Sequence, residues 1–326
     1  MLSDVDMRFP AVKDESGASV KLTHAKYRTL LESKERSVRK GAFNAMYKTY
    51  KSYINTIAAM YAGSIKKDQF YAKARGYDST LEDVWDNQLD GKPMFLDSDN
   101  VDKSVYYNLI DTVHDNLSTL QRYLKLRKQV LGLSKLHMYD LYTPLVTDAD
   151  ASYTYDEAKE LVKKGLAVLG SEYAELLDRA FSERWIDVYE SDGKSSGAFC
   201  GSTYDSHPYV LLNFEGRLDD VFTAAHELGH AMHSYYSNKT QPYTTANYSI
   251  FVAEVASTVN EVLVLKYLLA ETDNPKTKAY LLNHFLEQFR TTVVRQTMFA
   301  EFEAKVHAAA QRGEGLDQES LCIMYH

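Results

Sequence analysis

Two histidines and a glutamate form a short motif that could bind a metal ion and activate water. His226 and His230 are four residues apart, and Glu227 directly follows the first histidine. On an α-helix this spacing places both imidazoles on one face, one turn apart, so that they can share a single ion. Glu227 would lie beside the ion without binding it, where a general base could deprotonate metal-bound water. The motif therefore indicates metal-dependent hydrolysis, with about one Zn²⁺ per chain expected.

A catalytic zinc ion usually has three protein ligands and one open position, so the motif leaves one ligand to be found. Glu254 is the best candidate, because it lies 24 residues after His230, near the start of a second predicted helix. An antiparallel pair of helices, joined by the loop that contains Pro242, would bring it opposite the histidines. Glu261 lies seven residues further on, on the same helix face, and is expected to accept the other ring N–H of a liganding histidine.

Several other residues on the motif helix could influence the site without binding the metal. His233 is one turn past His230 and is predicted to neighbour the ligands. Asp219 and Asp220 precede the motif and are interpreted as favourable charges at the helix N-terminus rather than as ligands. Gly229 offers little steric bulk, as would suit a helix that passes close to a neighbour.

Helical patterning dominates the elements that must position these residues. Glycine and proline are scarce, at 15 and 6 residues, and apolar residues recur at helical spacing. We predict a mainly α fold with helical segments at residues 23–64, 102–130, 155–169, 171–182, 218–236, 250–269 and 275–307. The motif helix carries its own apolar stripe of Leu218, Val221, Phe222, Ala225, Leu228 and Met232.

A small β element is predicted just before the motif helix. Residues 209–214 are apolar and β-prone, and turn-forming residues at 191–197 precede them, which indicates a sheet or hairpin between residues 186 and 214. An extended peptide could pair with such a strand as an added strand. The residues that we predict to contact a substrate in this way are Gly197, Gly201, His207 and Tyr209.

Charge and composition exclude some partners. The formal net charge is −8, which argues against nucleic acid as a partner. No apolar stretch approaches the ~20 residues needed to span a bilayer. The two cysteines are too few for a disulfide framework, and the N-terminus shows no secretory signal, so we expect a cytoplasmic protein. The sequence gives no indication of oligomeric state.

Longer stretches around the motif resemble the oligoendopeptidase F branch of the thimet-oligopeptidase-like zinc metallopeptidases. The glutamate-x-x-serine at Glu254 to Ser257, at this distance from the histidines, is far more selective than the motif alone. The stretches that carry the resemblance are Asp187–Glu190, Ser195–Cys200, Phe222–His233, Phe251–Ser257 and Arg295–Phe302.

The resemblance implies a mostly helical fold with a deep channel, an intracellular role and endopeptidase cleavage of short peptides. It implies His226, His230 and Glu254 as zinc ligands and Glu227 as the base. We therefore expect a helical region at residues 1–184 that forms one side of the channel, and a zinc-binding catalytic region at residues 185–326.

The chain departs from this family in its length. Family members are longer at both ends and carry a downstream segment, rich in histidine and tyrosine, that binds the substrate carbonyl oxygen in the transition state. The present sequence has no such segment after Phe302, so we expect it to be a truncated chain. Two alternative functions remain: a metallocarboxypeptidase, which needs a cationic pocket for the terminal carboxylate, and a helical peptide-binding module without catalysis.

Overall fold

The computed structural model describes residues 7–81, 93–146, 152–191, 194–195 and 197–326. Glu82 and three residues of the predicted turn-rich segment, Asp192, Gly193 and Ser196, lie outside the described residues. The described chain is mainly helical, so the predicted fold class is confirmed.

The helices are α1 (His24–Glu32), α2 (Arg36–Ser52), α3 (Ile54–Ala74), α4 (Met94–Ser98), α5 (Lys103–Asp115), α6 (Leu117–Val130), α7 (Tyr155–Leu166), α8 (Ser171–Ser182), α9 (Leu218–Thr240), α10 (Ile250–Glu271), α11 (Pro275–Gln288), α12 (Arg295–Gln311) and α13 (Gln318–Tyr325). A π-helical segment, Phe289–Val294, joins α11 to α12. The strands are β1 (Ala11–Lys13), β2 (Ser19–Lys21), β3 (Ile186–Asp187), β4 (Phe199–Gly201) and β5 (Tyr209–Leu211).

Packing divides the chain into two compact units. The first comprises Met1–Leu145 and Phe285–His326, and the second comprises Val146–His284. The predicted division into a helical channel region at residues 1–184 and a zinc-binding catalytic region at residues 185–326 stays a prediction. No helix in the described part of the chain is long and apolar enough to cross a bilayer.

In the first unit, the predicted helical segment 23–64 proves to be three separate helices. Thr23 caps α1 as expected, since its hydroxyl oxygen accepts a hydrogen bond from the Lys26 N–H at 3.2 Å. The chain leaves the helix at Ser33 and Lys34, whose carbonyls accept from the Arg39 guanidinium at 2.8 and 3.0 Å. Similarly, the predicted segment 102–130 is interrupted at Asn116, between α5 and α6.

A buried carboxylate holds α2 against the short 3₁₀ turn at Met138–Asp140. The Asp140 carboxylate accepts hydrogen bonds from Arg36 at 3.0 and 3.2 Å and from Arg39 at 2.9 Å. It also accepts one from the backbone N–H of His137. Burial alone would raise the pKa of Asp140, but these donors outweigh it and hold the pKa below its usual value.

The second unit contains the predicted sheet. Strand β5 lies in the middle, parallel to β3 and antiparallel to β4, so the strand order is β3-β5-β4. The apolar side chains of β5 and the residue after it, Val210 and Leu212, pack against Ala224 and Ala231 of α9. The sheet thereby supports the motif helix from one side, and its position just before that helix agrees with the prediction.

Two glycines allow α10 to approach its neighbours closely. A Cβ atom at Gly229 of α9 would lie 2.5 Å from the Cα of Ser257, far inside van der Waals contact. A Cβ atom at Gly165 of α7 would lie 2.9 Å from the Cα of Val264. The prediction that Gly229 lies where α9 passes close to another helix is therefore confirmed.

Candidate metal centre

Three side chains from α9 and α10 converge on one point. The Nε2 atoms of His226 and His230 are 3.1 Å apart. One carboxylate oxygen of Glu254 lies 3.2 Å from the first nitrogen and 3.3 Å from the second. Among the described residues, these three form the group of metal-ligating side chains that lie close enough to share an ion.

The triangle of ligand atoms has the dimensions that a zinc ion requires. Ligand atoms about 2.0–2.1 Å from a tetrahedral zinc ion lie about 3.3–3.4 Å from one another. The chemistry of the three atoms also fits a cation. The Nδ1 of His226 faces a carboxylate, and a proton held on that nitrogen leaves a lone pair on Nε2 that points to the other two ligand atoms. Three lone pairs at this distance repel one another unless a proton or a metal ion lies between them.

Each histidine ring is held by a further hydrogen bond. The Nδ1–H of His226 donates to the Glu261 carboxylate at 2.5 Å, which is the contact expected from the sequence. The ring of His230 makes a hydrogen bond with the backbone of Ala253 on α10. Partners of this kind fix the orientation of a histidine and increase its basicity as a ligand.

Burial and the nearby carboxylates together shift the pKa values of the two imidazoles in opposite directions. Burial lowers the pKa of His226, but the hydrogen bond to Glu261 and the charges of Glu261, Glu227 and Glu254 outweigh it and raise the pKa overall. For His230 burial prevails and the pKa falls. In the metal-free chain a proton therefore competes with a metal ion for His226 more than for His230.

Glu227 has the properties of a base in a dry environment. Only 6% of the residue is exposed, and its Oε2 atom has no hydrogen-bond partner within the described part of the chain. Burial raises the pKa of Glu227, and the nearby charges of Glu254 and Glu261 add to the effect, whereas His226 opposes it. A buried, unpartnered carboxylate oxygen beside three ligands is suited to accept a proton from a water molecule.

A serine orients the exposed ligand. The Glu254 side chain is 64% exposed, and so little packing restrains it. The Ser257 hydroxyl, one turn along α10, donates to the same carboxylate oxygen that faces the histidines, at 2.8 Å. Ser257 itself is fully buried against Gly229.

Asp220 and His233 are two further residues of α9 that the sequence places near the motif. Asp220 accepts hydrogen bonds from the backbone N–H groups of Glu215 and Arg217, and it therefore caps the start of α9. His233 stacks on Tyr248 with a ring separation of 3.7 Å, and burial lowers its pKa. Its predicted role next to the ligands stays a prediction.

The predicted substrate residues lie on or beside the sheet. Gly201 ends β4, and the Gly197 carbonyl accepts from the Asn213 amide at 2.8 Å. Tyr209 begins β5 and is exposed, and its ring packs against that of His207. His207 also stacks on Trp185. The sequence singles out Ser257 as part of the glutamate-x-x-serine motif but not as an orienting donor, and it does not reveal Asn260, which precedes Glu261.

Comparison with known proteins places these observations in a family context. The sequence profile of peptidase family M3 matches residues 29–326. Oligopeptidase PepF of Bacillus subtilis is 48% identical over 326 residues, and group B oligopeptidase PepB of Streptococcus agalactiae is 43% identical over 325 residues. The crystal structure of oligoendopeptidase-F from Enterococcus faecium is 35% identical and superposes with a TM-score of 0.69.

These relatives are considerably longer than the present chain. The alignments cover 100% of this chain but 47% of PepF and 52% of PepB. For the Enterococcus structure the shares are 98% and 48%. The chain thus spans about half the length of the relatives that it matches.

Proposed function

This chain belongs to peptidase family M3, and from that premise we propose that it is a zinc-dependent endopeptidase for short peptides. His226, His230 and Glu254 are the proposed ligands of one zinc ion, and Glu227 is the proposed general base. The observation that carries the proposal is the triangle of ligand atoms, 3.1–3.3 Å on each side. Beside it lies a buried carboxylate oxygen of Glu227 that has no hydrogen-bond partner among the described residues.

In the proposed reaction Glu227 transfers the proton, and the water and the carbonyl are activated by the metal ion. A bound zinc ion would lower the pKa of a coordinated water molecule to ~7 and polarise the scissile carbonyl. Glu227 takes the proton from the water as it attacks, and later gives that proton to the leaving amine. Burial suits Glu227 to this role, because it raises the pKa of the carboxylate and so makes the group more basic.

The edge strand β4 is the proposed binding surface for the peptide backbone. Within the described residues, strand β4 pairs on one side only, with β5. It also lies near the base, since the charge of Glu227 contributes, after burial, to raising the pKa of Cys200 on this strand to about 12. A peptide added alongside β4 would be held near Glu227 by main-chain hydrogen bonds. Gly197, Gly201, His207 and Tyr209 are the proposed contacts.

We propose short peptides as substrates because the relatives are named as oligopeptidases and oligoendopeptidases. We also propose a cytoplasmic location, which the two free thiols of Cys200 and Cys322 support. Because the chain spans about half of each relative, both its activity and its substrates are proposals.

Metal analysis is the first test. The purified chain should bind about one zinc ion, and the His226→Ala variant should lose it. The matched control is His137→Ala, because His137 belongs to the first unit and lies outside the centre. A wild-type chain that binds no zinc, or a His226→Ala variant that retains it, would rule out the proposed ligand set.

Hydrolysis of a peptide blocked at both ends tests the reaction. Glu227→Gln should retain zinc but lose ~10²–10⁴-fold in rate, the usual contribution of a general base. The control is Glu215→Gln, at an exposed glutamate of the same unit. Internal cleavage supports an endopeptidase, whereas cleavage only of peptides with a free C-terminus indicates a carboxypeptidase. If the wild type cleaves nothing and Glu227→Gln behaves identically, the chain is a binding module.

A further inference from the structure

A buried amide lies directly beside the metal centre and takes no part in it. Asn260 of α10 is only 2% exposed. Its Nδ2 donates to the backbone carbonyl of Ala225 on α9 at 3.0 Å. Its Oδ1 accepts from the hydroxyl of Tyr173 on α8 at 3.1 Å. One side chain thus connects three helices of the second unit.

The amide and its carbonyl partner are each adjacent in sequence to a residue of the proposed metal centre. Ala225 directly precedes His226, and Asn260 directly precedes Glu261. The Asn260–Ala225 and Glu261–His226 hydrogen bonds therefore form two adjacent rungs between α9 and α10. Both rungs join residues 35 positions apart.

Adjacent rungs fix the register of the two helices. A shift of α10 by one residue would move its side chains by about 1.5 Å along the axis and about 100° around it. Such a shift would break both rungs together. The Asn260 amide thus holds α10 at the one register in which Glu261 meets the Nδ1 of His226.

The amide is chemically matched to its two partners. A backbone carbonyl in a helix keeps a second lone pair, which can accept a side-chain N–H. The asparagine amide carries a donor and an acceptor side by side, which match the Ala225 carbonyl and the Tyr173 hydroxyl. The Ala225 carbonyl can only accept and therefore faces the amide nitrogen, which leaves the amide oxygen to accept from the Tyr173 hydroxyl. Aspartate would place an acceptor against the carbonyl, and leucine would satisfy neither partner.

We propose that Asn260, hydrogen-bonded to Tyr173, is a positioning residue that aligns the His226 imidazole with Glu261 and so sets the geometry of the metal centre. As far as it concerns metal, this inference rests on the proposed function. The alignment of His226 with Glu261 does not depend on it, and can be measured in the metal-free chain.

The test compares Asn260→Leu, Asn260→Asp and Tyr173→Phe with a matched control, Val264→Ala. Val264 is fully buried one turn further along α10, where it contacts Gly165 of α7. Zinc affinity is measured by competition with a chromophoric chelator, and coordination geometry by the visible absorption of the Co²⁺-substituted chain. Thermal unfolding reports the stability of each variant.

We expect both Asn260 variants to bind zinc about 10–100-fold more weakly, as is typical when the partner of a ligand is disturbed, and to change the Co²⁺ spectrum. Tyr173→Phe should act in the same direction with a smaller effect. Val264→Ala should lower the unfolding temperature yet leave the zinc affinity and the Co²⁺ spectrum unchanged. Asn260 variants that are merely destabilised, with normal affinity and spectrum, would overturn the inference.

A readout without metal separates this inference from the proposed function. The proton on the Nδ1 of His226, bonded to Glu261, should give a shifted and exchange-protected NMR signal, identified by its loss in His226→Ala. The signal should disappear in Asn260→Leu and persist in Val264→Ala. If the wild type binds no zinc but the signal follows this pattern, the proposed function fails and the positioning role stands. If Asn260→Leu does not fold, the same signal is measured in Tyr173→Phe and Asn260→Asp instead. A signal that persists unchanged in both variants would refute the positioning role of Asn260.

Discussion

A carboxylate that binds a metal ion must be oriented as well as close, and the proposed ligand Glu254 meets both conditions at the level of single residues. Two hydroxyls on α10 contact Glu254. The Ser257 hydroxyl reaches the carboxylate oxygen that faces the histidines, at 2.8 Å. The Thr258 hydroxyl reaches only the backbone carbonyl, at 2.6 Å. The first contact restrains the ligand atom, whereas the second leaves it free to rotate.

We predict that Ser257→Ala weakens zinc binding by about tenfold with little loss of stability, because Glu254 must then lose rotational freedom when it binds. Thr258→Val is the matched control, since it removes a hydroxyl from the same helix without affecting the carboxylate. Isothermal titration of zinc into both variants measures the difference. Equal affinities for the two variants would show that Ser257 does not orient the ligand.

The sequence predicts the proposed ligands and one residue that orients them, Glu261, but it gives no indication of Asn260. The four-residue spacing of His226 and His230 is a local property of one helix, and Glu254 and Glu261 follow from a second helix folding back. Asn260 gave no such signal. Its partners lie 35 and 87 residues away, and a single buried asparagine on a helix has no distinctive spacing.

At the level of elements, the centre depends on how closely α9 approaches α10. Gly229 is the residue at the contact, and an added Cβ would lie 2.5 Å from the Ser257 Cα and 2.8 Å from the Ala256 carbonyl oxygen. These are backbone atoms, which cannot rotate aside as a side chain would. A larger residue at Gly229 must therefore push the helices apart, and Glu254 would move away from the histidines.

We predict that Gly229→Ala destabilises the chain by about 1–3 kcal/mol, as overpacking does, and weakens zinc binding. The contrasting variant is Gly63→Ala in α3, where a Cβ meets nothing within 4 Å. It should stabilise the chain by about 0.5–1 kcal/mol, since alanine favours a helix over glycine. Denaturant unfolding and zinc titration measure both effects. A Gly229→Ala variant as stable as Gly63→Ala would contradict the close-contact argument.

The existence of the helices was more predictable than their ends. The apolar stripe of α9 defines the helix, since one face must be buried against the sheet. The break between α1 and α2 was not visible, because the carbonyls released at Ser33 and Lys34 are satisfied by a side chain, Arg39, rather than by a recognisable cap. The π-helical segment Phe289–Val294 likewise interrupts a continuous helical pattern without a glycine or proline.

At the level of the whole molecule, the chain is acidic, with a net charge of −8. It nevertheless buries an arginine side chain where a carboxylate pairs with it. In the first unit, Asp140 accepts hydrogen bonds from both Arg36 and Arg39. The arginines keep Asp140 ionised in a site where burial would otherwise favour its neutral form. The folded state therefore binds fewer protons at this carboxyl than the unfolded state does.

This difference predicts how stability depends on pH. Because the pKa of Asp140 is lowered from its ordinary value of 3.8, its contribution is fully present above that value and is lost as the pH falls through the folded-state pKa. Asp140→Asn should cost about 3–5 kcal/mol at neutral pH, since it leaves the buried Arg39 unpaired. Urea unfolding at several pH values should show the gap between wild type and variant closing in acid.

The control for this series is Asp205→Asn, at an exposed carboxyl of the second unit. It should change neither the neutral stability nor its dependence on pH. A gap between wild type and Asp140→Asn that stays constant down to strongly acidic pH would show that Asp140 is not the titrating group.

The two rungs between α9 and α10 also determine where the sequence can change in length. Both rungs and the Gly229 contact lie inside helices, whereas residues 241–245 form an exposed part of the connection that takes no part in these three contacts. Insertions or deletions at residues 241–245 therefore leave both rungs and the Gly229 contact in place. A single residue inserted into α10 between Glu254 and Asn260 would instead turn one half of the helix by about 100° against the other. In an evolving lineage, or in a designed variant, the connection is thus the place where this pair of helices can accept a new segment of chain.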